Sequence, residues 1–470
     1  MKRIIIMAAF IAATVTAMAQ NTGGIDGAML ETISKGWSGS PADKAARNAL
    51  FSTPINTLAL DSEHPGLVDT EFSDIVKTVG HTDQKSSGRC WLFTGLNVLR
   101  AKAIAEHNLG SFTFSQNYIF FYDQLEKSNL FLQGVIDTRD LPFDDRTVDW
   151  LFSHPIGDGG QFTGVSNLIT KYGLVPSEAM KETYCSNNTS QMRAQLSYKL
   201  REYGLRLREA ADQAAAESPK LKGKKAASAK VALESRLRNM KTAYLTEIYH
   251  ILAICLGVPP KEFEWKGKTY TPKSFYDEYV GKDLEHNYVM VMNDPCREYW
   301  KVYEIDYDRH VYDGDNWLYI NLPVDKIKEM AIASIKDGTA MYFSCDVGKF
   351  MNRENGLLDP DSFDYSSLLG VDFGMNKEER VKTHASGSSH AMTLIAVDMK
   401  DGKPVKWMVE NSWGAKSGHE GNLIMTDKWF DEYMFRLVLE KKYVPADILK
   451  LLDLEPVRLP AWDPMFLPEE

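Results

Sequence analysis

Residues 81–110 read HTDQKSSGRCWLFTGLNVLRAKAIAEHNLG, a polar loop that turns into a long apolar-periodic run. Leu92, Leu96, Leu99 and Ala103 fall at i, i+4, i+7 and i+11, the spacing of one helix face. Gly and Ser residues just ahead suit a cap, so a helix is expected to start near Ser87 to Arg89 and stop near Gly110. Cys90 then lies in its first turn, beside Arg89, where the helix dipole and a neighbouring cation both favour thiolate over thiol. Taken alone, a cysteine before an apolar helix is more often a small buried core residue. Its downstream context decides between the two.

About 300 residues later His390 opens the apolar run AMTLIAV, Asp401-Gly402 supplies a turn, and VKWMVEN returns. This is the pattern of a β-hairpin. Antiparallel pairing about a turn centred between Lys400 and Asp401 makes His390 and Asn411 near cross-strand neighbours. An amide oxygen there accepts a hydrogen bond from one imidazole nitrogen and leaves the other for a thiol, the nucleophile, base and orienter logic of catalytic triads. Each of the three residues alone has a structural explanation; their joint placement points to acyl transfer. Gln84, six residues before Cys90, can aim its side-chain amide back at the thiol and form an oxyanion hole with the Cys90 backbone N–H. By itself it would read as an exposed loop glutamine.

QKSSGRCWLFTGLNVLR, SSHAMTLIAV and WMVENSWG together resemble the bleomycin hydrolase and aminopeptidase C family of papain-like cysteine peptidases. Matches in character continue through FSQNYIFFYDQLEK, DGGQF, KYGLVP, ASIKDG, CDVGK and LPAWDPM, from about Phe72 to Met465. The resemblance implies Cys90 as nucleophile, His390 as general acid/base, Asn411 as orienter and Gln84 as oxyanion donor. It implies that Trp413 shields the Asn–His hydrogen bond, and that Asp158, Gly159 and Gly160 line the substrate cleft, where absent side chains admit a peptide backbone. Peptide substrates, a homohexameric cage and no metal or organic cofactor are implied as well. In the family a C-terminal arm reaches the cleft and its carboxylate meets the substrate's amino group. Here the chain ends Phe466-Leu467-Pro468-Glu469-Glu470, so Glu469 and Glu470 are the candidate gate, attracting an ammonium by charge; a frayed terminus is the plain alternative. An endopeptidase with an altered gate and a non-catalytic peptide-binding cage are the competing readings.

The remaining sequence bounds these expectations. Hydrophobic residues at 44% and charged residues at 25% are those of an ordinary globular chain and exclude a disordered, fibrous or multispanning protein. The start, MKRIIIMAAFIAATVTAMAQ, has Lys2 and Arg3 before an apolar run and Ala17-Met18-Ala19 as a small-x-small site, the pattern of a signal peptide over residues 1–19. A periplasmic or extracellular location is therefore expected, with no membrane anchor in the mature form. Export would remove two cations and no acid, taking the formal charge from -10 to -12, which disfavours nucleic-acid binding. Five cysteines with no CxxC pair support no zinc ribbon or thioredoxin motif, and an odd number leaves at least one thiol outside any disulfide. Ser87 stands three residues before Cys90, where many secreted papain relatives carry a half-cystine.

The expected fold is α+β and papain-like: an N-terminal arm (20–60), read as extended; a helical lobe with Cys90 (61–189); a helical insertion (190–285); a β-rich lobe with His390 and Asn411 (286–445); and a C-terminal arm toward the active site (446–470). The insertion is charge-rich, and its lysines between 220 and 230 read as a solvated face.

Overall fold

The computed structural model describes residues 23–64, 69–217, 222–281 and 283–466. The expected signal peptide, and the candidate gate residues Glu469 and Glu470, lie outside the described residues. The described residues divide into two compact units, 23–63 with 363–373, and 64–362 with 374–466.

The first unit corrects the expectation of an extended arm. Its described residues form helices α1 (Gly27–Lys35), α2 (Pro41–Leu50) and α3 (Ile55–Leu58). Local chemistry explains why: Asp26 caps α1 through the Met29 N–H, and Ser40 and Asp43 form a reciprocal capping box around α2, with Pro41 at its first position. Residues 363–373, assigned from sequence to the β-rich lobe, belong to this unit, where Leu60 bridges to Phe363.

In the second unit, β1 (Asp74–Ile75) precedes α4 (Cys90–His107), the helix expected around the nucleophile. It is buried on every side from Cys90 to Arg100, a wider burial than the single stripe its periodicity suggests. It packs on α5 (Gln116–Asp137), on α6 (Phe162–Tyr172) and across the sheet. A Cβ on Gly95 would lie 2.6 Å from the Val165 side chain, so glycine is what lets α4 and α6 approach. A short helix α7 (Tyr184–Asn187) leads to α8 (Ser190–Glu217) and α9 (Lys224–Leu256). Sequence reads these last two as a decoration; the fold makes them part of the helical core. Leu196, Leu200 and Leu207 of α8, and Ile248, Leu252 and Leu256 of α9, join the same apolar cluster as α4 and α5. Lys222, Lys224, Lys225 and Lys230 are exposed, whereas Arg208 of α8 is buried and donates to the Thr138 carbonyl at 3.1 Å.

Among the described residues the sheet has twelve strands. After β1 these are β2 (Tyr288–Met292), β3 (Lys301–Ile305), β4 (Leu318–Asn321), β5 (Met341–Cys345), β6 (Met351–Asn352), β7 (Leu357–Leu358), β8 (His390–Lys400), β9 (Lys403–Glu410), β10 (Asn422–Thr426), β11 (Met434–Glu440) and β12 (Val457–Leu459). Their order is β12-β3-β4-β2-β11-β5-β8-β9-β10-β7-β6, mostly antiparallel, with β1 pairing with β8. Both β1 and β12 thus come from outside the span read as β-rich. The architecture is the expected α+β one, a helical layer and a sheet-based layer with the Cys90 helix between them.

One buried ion pair joins the two layers. Arg100 of α4 places Nη2 2.6 Å from Glu410 Oε1 at the end of β9, and both side chains are buried. Breaking such a pair from one side strands a charge in low dielectric. Arg100→Met is expected to cost about 3–5 kcal/mol, read as a lower guanidinium midpoint, and adding Glu410→Leu is expected to restore part of the loss.

Candidate active site

The segment from Gly80 to Gln84 builds the site by bonding in two directions. Toward α4, Asn97 Nδ2 donates to Thr82 Oγ1 at 3.0 Å and Arg100 Nη2 to the Gly80 carbonyl at 3.2 Å. Toward the chain that follows β9, Gln84 N donates to the Ser412 carbonyl at 2.8 Å and Gly414 N to the Thr82 carbonyl at 3.0 Å. The Cys90 helix and the Asn411 segment are therefore stitched to one strip of backbone.

On that strip His390 and Asn411 meet as expected: His390 Nε2 lies 2.9 Å from Asn411 Oδ1. An amide oxygen only accepts, so Nε2 carries the proton and Nδ1 is left as the basic nitrogen. Ser412 N also donates to Asn411 Oδ1 at 2.8 Å, which fixes the amide's orientation. The route to this contact differs from the expectation. The hairpin pairs Thr393 with Glu410 and is interrupted by bulges near Ile395 and between Asp398 and Met399, so the turn is centred between Asp401 and Gly402. His390 lies opposite Cys345 of β5, and Asn411 lies just past the end of β9, reaching back with its side chain. The Trp413 ring lies 4.9 Å from the imidazole, tilted by 34°.

Cys90 is the first residue of α4 and is buried. The neighbouring cation is not available to it in the way the sequence suggests. The Arg89 guanidinium is bonded by Nη2 and Nη1 to Glu182 at 2.8 and 3.2 Å, and lies 5.1 Å from both the Phe93 and Phe120 rings. Its charge is engaged there, away from the role beside the thiol that the sequence suggests. Gln84 is buried, with Nε2 donating to the Ser87 carbonyl at 2.7 Å and Oε1 accepting from Ser412 Oγ at 2.6 Å. One amide hydrogen of Nε2 is so engaged and the second is left for a ligand. Ser412 was missed in the sequence because an Asn-Ser pair after a strand reads as a turn.

Asp158, Gly159 and Gly160 do more packing than expected. The Asp158 carboxylate turns inward to the Gly88 N–H at 3.4 Å and to Thr189, and its carbonyl accepts from Trp91 Nε1 at 2.7 Å. A Cβ on Gly160 would lie 2.3 Å from His310 Cε1 and 2.8 Å from the Trp91 ring, so the missing side chain makes room for the protein itself. Gly159 and Gly160 also border a cavity of about 480 Å³ walled by Trp150, Trp462 and Phe466, which Cys90 and His390 do not line. Among the described residues no group of His, Cys, Asp and Glu side chains forms a metal-binding set.

Sequence reading also missed the buried cluster beneath this loop. His310 Nδ1 lies 2.5 Å from Asp123 Oδ1, and Lys127 Nζ donates to Asp123 Oδ2 at 2.9 Å and to the Gly157 and Gly159 carbonyls at 3.1 and 2.6 Å. Burial acts to raise the Asp123 carboxyl, but Lys127 and His310 outweigh it and hold its pKa below the usual value. Burial, then the Lys127 charge, depresses His310 against the pull of Asp123. The imidazole is thus neutral and donates from Nδ1 to an ionised carboxylate. No local motif marks residues 187 positions apart. Because the folded imidazole resists protonation while the unfolded one accepts a proton near pH 6.5, stability is full above about pH 6.5 and falls as pH drops below it. His310→Asn, measured by denaturant unfolding from pH 7 to 5, is expected to flatten that decline by up to about 1.4 kcal/mol per pH unit.

Comparison with known proteins agrees with this geometry. Residues 24–466 match the model of the Peptidase C1-like family. The chain is 40% identical over 416 residues to bleomycin hydrolase of Mus musculus, covering 84% of this chain and 88% of that one. It is 37% identical over 451 residues to aminopeptidase C of Lactobacillus delbrueckii subsp. lactis, covering 93% and 96%. The crystal structure of PepW from Lactobacillus rhamnosis superposes with a TM-score of 0.87 at 34% identity, over 95% of this chain and 100% of that one. A cysteine at a helix N-terminus, a histidine held by an asparagine, and similarity along nearly the whole length place the chain in the Peptidase C1-like family, as a papain-like cysteine peptidase.

Proposed function

We propose that the protein is a cysteine aminopeptidase of the bleomycin hydrolase type, acting on peptides through Cys90, His390, Asn411 and Gln84. The observation that carries the assignment of roles is the 2.9 Å bond from His390 Nε2 to Asn411 Oδ1, which leaves Nδ1 as the base. In the first step Nδ1 takes the thiol proton and Cys90 Sγ attacks the peptide carbonyl carbon. The resulting oxyanion is stabilised by the Cys90 N–H and by Gln84 Nε2. The imidazolium then protonates the leaving amine as the C–N bond breaks, giving a thioester. His390 next takes a proton from water, whose oxygen attacks the thioester and releases the acid and the thiol. Trp413 over the imidazole keeps water from the Asn411 bond.

Three further readings belong to the same proposal. The acidic end at Glu469 and Glu470 attracts the substrate's ammonium and limits cleavage to the amino end; support comes from charge and from the arm up to Phe466, which is docked by Arg297 on Asp463 and by Arg146 over the Trp462 ring. Export by the residue 1–19 signal is supported by its basic, apolar and small-x-small pattern. Assembly into a homohexameric cage is supported by family resemblance and would restrict access to small or unfolded peptides. Among the described residues no helix is long and apolar enough to cross a membrane.

Fluorogenic peptides with free or acetylated amino ends test the activity. Cleavage confined to the free-amine series, reduced more than about 10³-fold by Cys90→Ala, is expected. Equal cleavage of acetylated peptides would select the endopeptidase reading, and activity surviving Cys90→Ala would remove the nucleophile. Ser412→Ala, which frees Gln84 Oε1, is expected to lower kcat about 5–10-fold with little change in KM, and Ser412→Thr to recover most of it.

A further inference from the structure

Residues 181–189 run beside the C-terminal end of α9, and three hydrogen bonds fix the two stretches together. Thr183 Oγ1 donates to the Cys255 carbonyl at 2.8 Å, and Asn117 Nδ2 donates to the carbonyls of both Lys181 and Leu256, each at 2.8 Å. Helix α7, which carries Cys185, packs against α9, which carries Cys255. The two thiols are consequently neighbours, and each is half-buried, open enough for a small reagent. Burial, reinforced by the adjacent Cys185 thiol, pushes the Cys255 thiol up to about 11. Neither sulfur has a part in the chemistry at Cys90.

We propose that Cys185 and Cys255 form a dithiol that closes to an intramolecular disulfide when the protein meets a disulfide donor such as oxidised glutathione. The Cys185 thiolate attacks one glutathione sulfur; the S–S bond of the donor breaks, and glutathione thiolate leaves. The Cys255 sulfur, its proton passing to water, then attacks the Cys185 sulfur and displaces the second glutathione thiolate. Two protein thiols lose two electrons and two protons, and one glutathione disulfide is reduced to two thiols. The burial that disfavours the Cys255 thiolate makes this second step the slower one.

The bond would tie down the flank of the nucleophile loop without entering the site. Ser86 N donates to the Asn187 carbonyl at 3.0 Å, Thr189 N to the Ser86 carbonyl at 3.4 Å, and Glu182 holds Arg89, the residue before Cys90. The other cysteines are placed elsewhere: Cys296 Sγ lies 3.5 Å from the Glu378 carbonyl, and Cys345 is buried in β5. Closure would consume the two vicinal thiols and spare Cys90, which suits an enzyme needing one reduced sulfur in an oxidising surrounding.

The test treats the full-length protein with oxidised glutathione or with dithiothreitol, alkylates it with iodoacetamide and maps the unreduced digest by mass spectrometry. A peptide pair joining Cys185 to Cys255, lighter by two hydrogens than its separate members and missing from Cys185→Ser and Cys255→Ser, is expected. The oxidised protein should also melt about 5 °C above the reduced one, a difference that either serine variant removes. Alkylation of both cysteines after glutathione treatment, a stable glutathione adduct on either, or a link from either to Cys90 or Cys296 would overturn the proposal.

Discussion

The buried pair formed by Arg100 and Glu410 holds the Cys90 helix against the end of β9. Each charge is buried at a site that would be hostile to it alone, so the helix that begins at Cys90 and the strand that ends just before Asn411 are committed to one relative position. Around it the Gly80–Gln84 strip bonds to both partners, through Asn97 on one side and through Ser412 and Gly414 on the other. A small displacement of either layer would break several of these contacts together. That is the precision an acyl-transfer site needs, because nucleophile and base reside on different elements and cannot find each other through local geometry.

The same logic shows in the polar groups packed under the site. Arg89 is spent on Glu182 and two aromatic faces, Asp158 on the Gly88 backbone and Thr189, Lys127 on Asp123 and two loop carbonyls. Arg89 and Asp158 are buried and Lys127 is largely so, and each is bonded to a loop that flanks Cys90 or Trp91. Around Cys90 the chain is thus held by a polar underlayer as well as by the apolar core. It also explains why Gly160 is small, since the underlayer's His310 occupies the space a side chain would need.

Some of this is legible in the sequence alone. The Cys90 helix, the β8–β9 hairpin and the Asn411–His390 bond follow from periodicity, turn residues and hydrogen-bonding capacity, all of which act over a few residues. The exact register did not, because bulges in β8 shift the pairing and have no reliable sequence mark. Helices α8 and α9 were misjudged as a solvated decoration because their charged outer faces dominate composition, while the narrower leucine face that enters the core is visible only against its partner α5. The helices α1 to α3 were overlooked because Gly, Ser and Pro suggest an extended chain until their capping geometry is seen.

By itself, then, the sequence determined the family and the kind of element on which Cys90, His390 and Asn411 lie. Tertiary structure alone decided the pairings among distant residues, from Arg89 with Glu182 and Ser412 with Gln84 to His310 with Asp123 and Cys185 beside Cys255. The physical reason is that periodicity and turn chemistry report which face of an element is apolar and where it stops. They carry no information about which other face will cover it, and a buried charge or thiol acquires its behaviour only from what covers it.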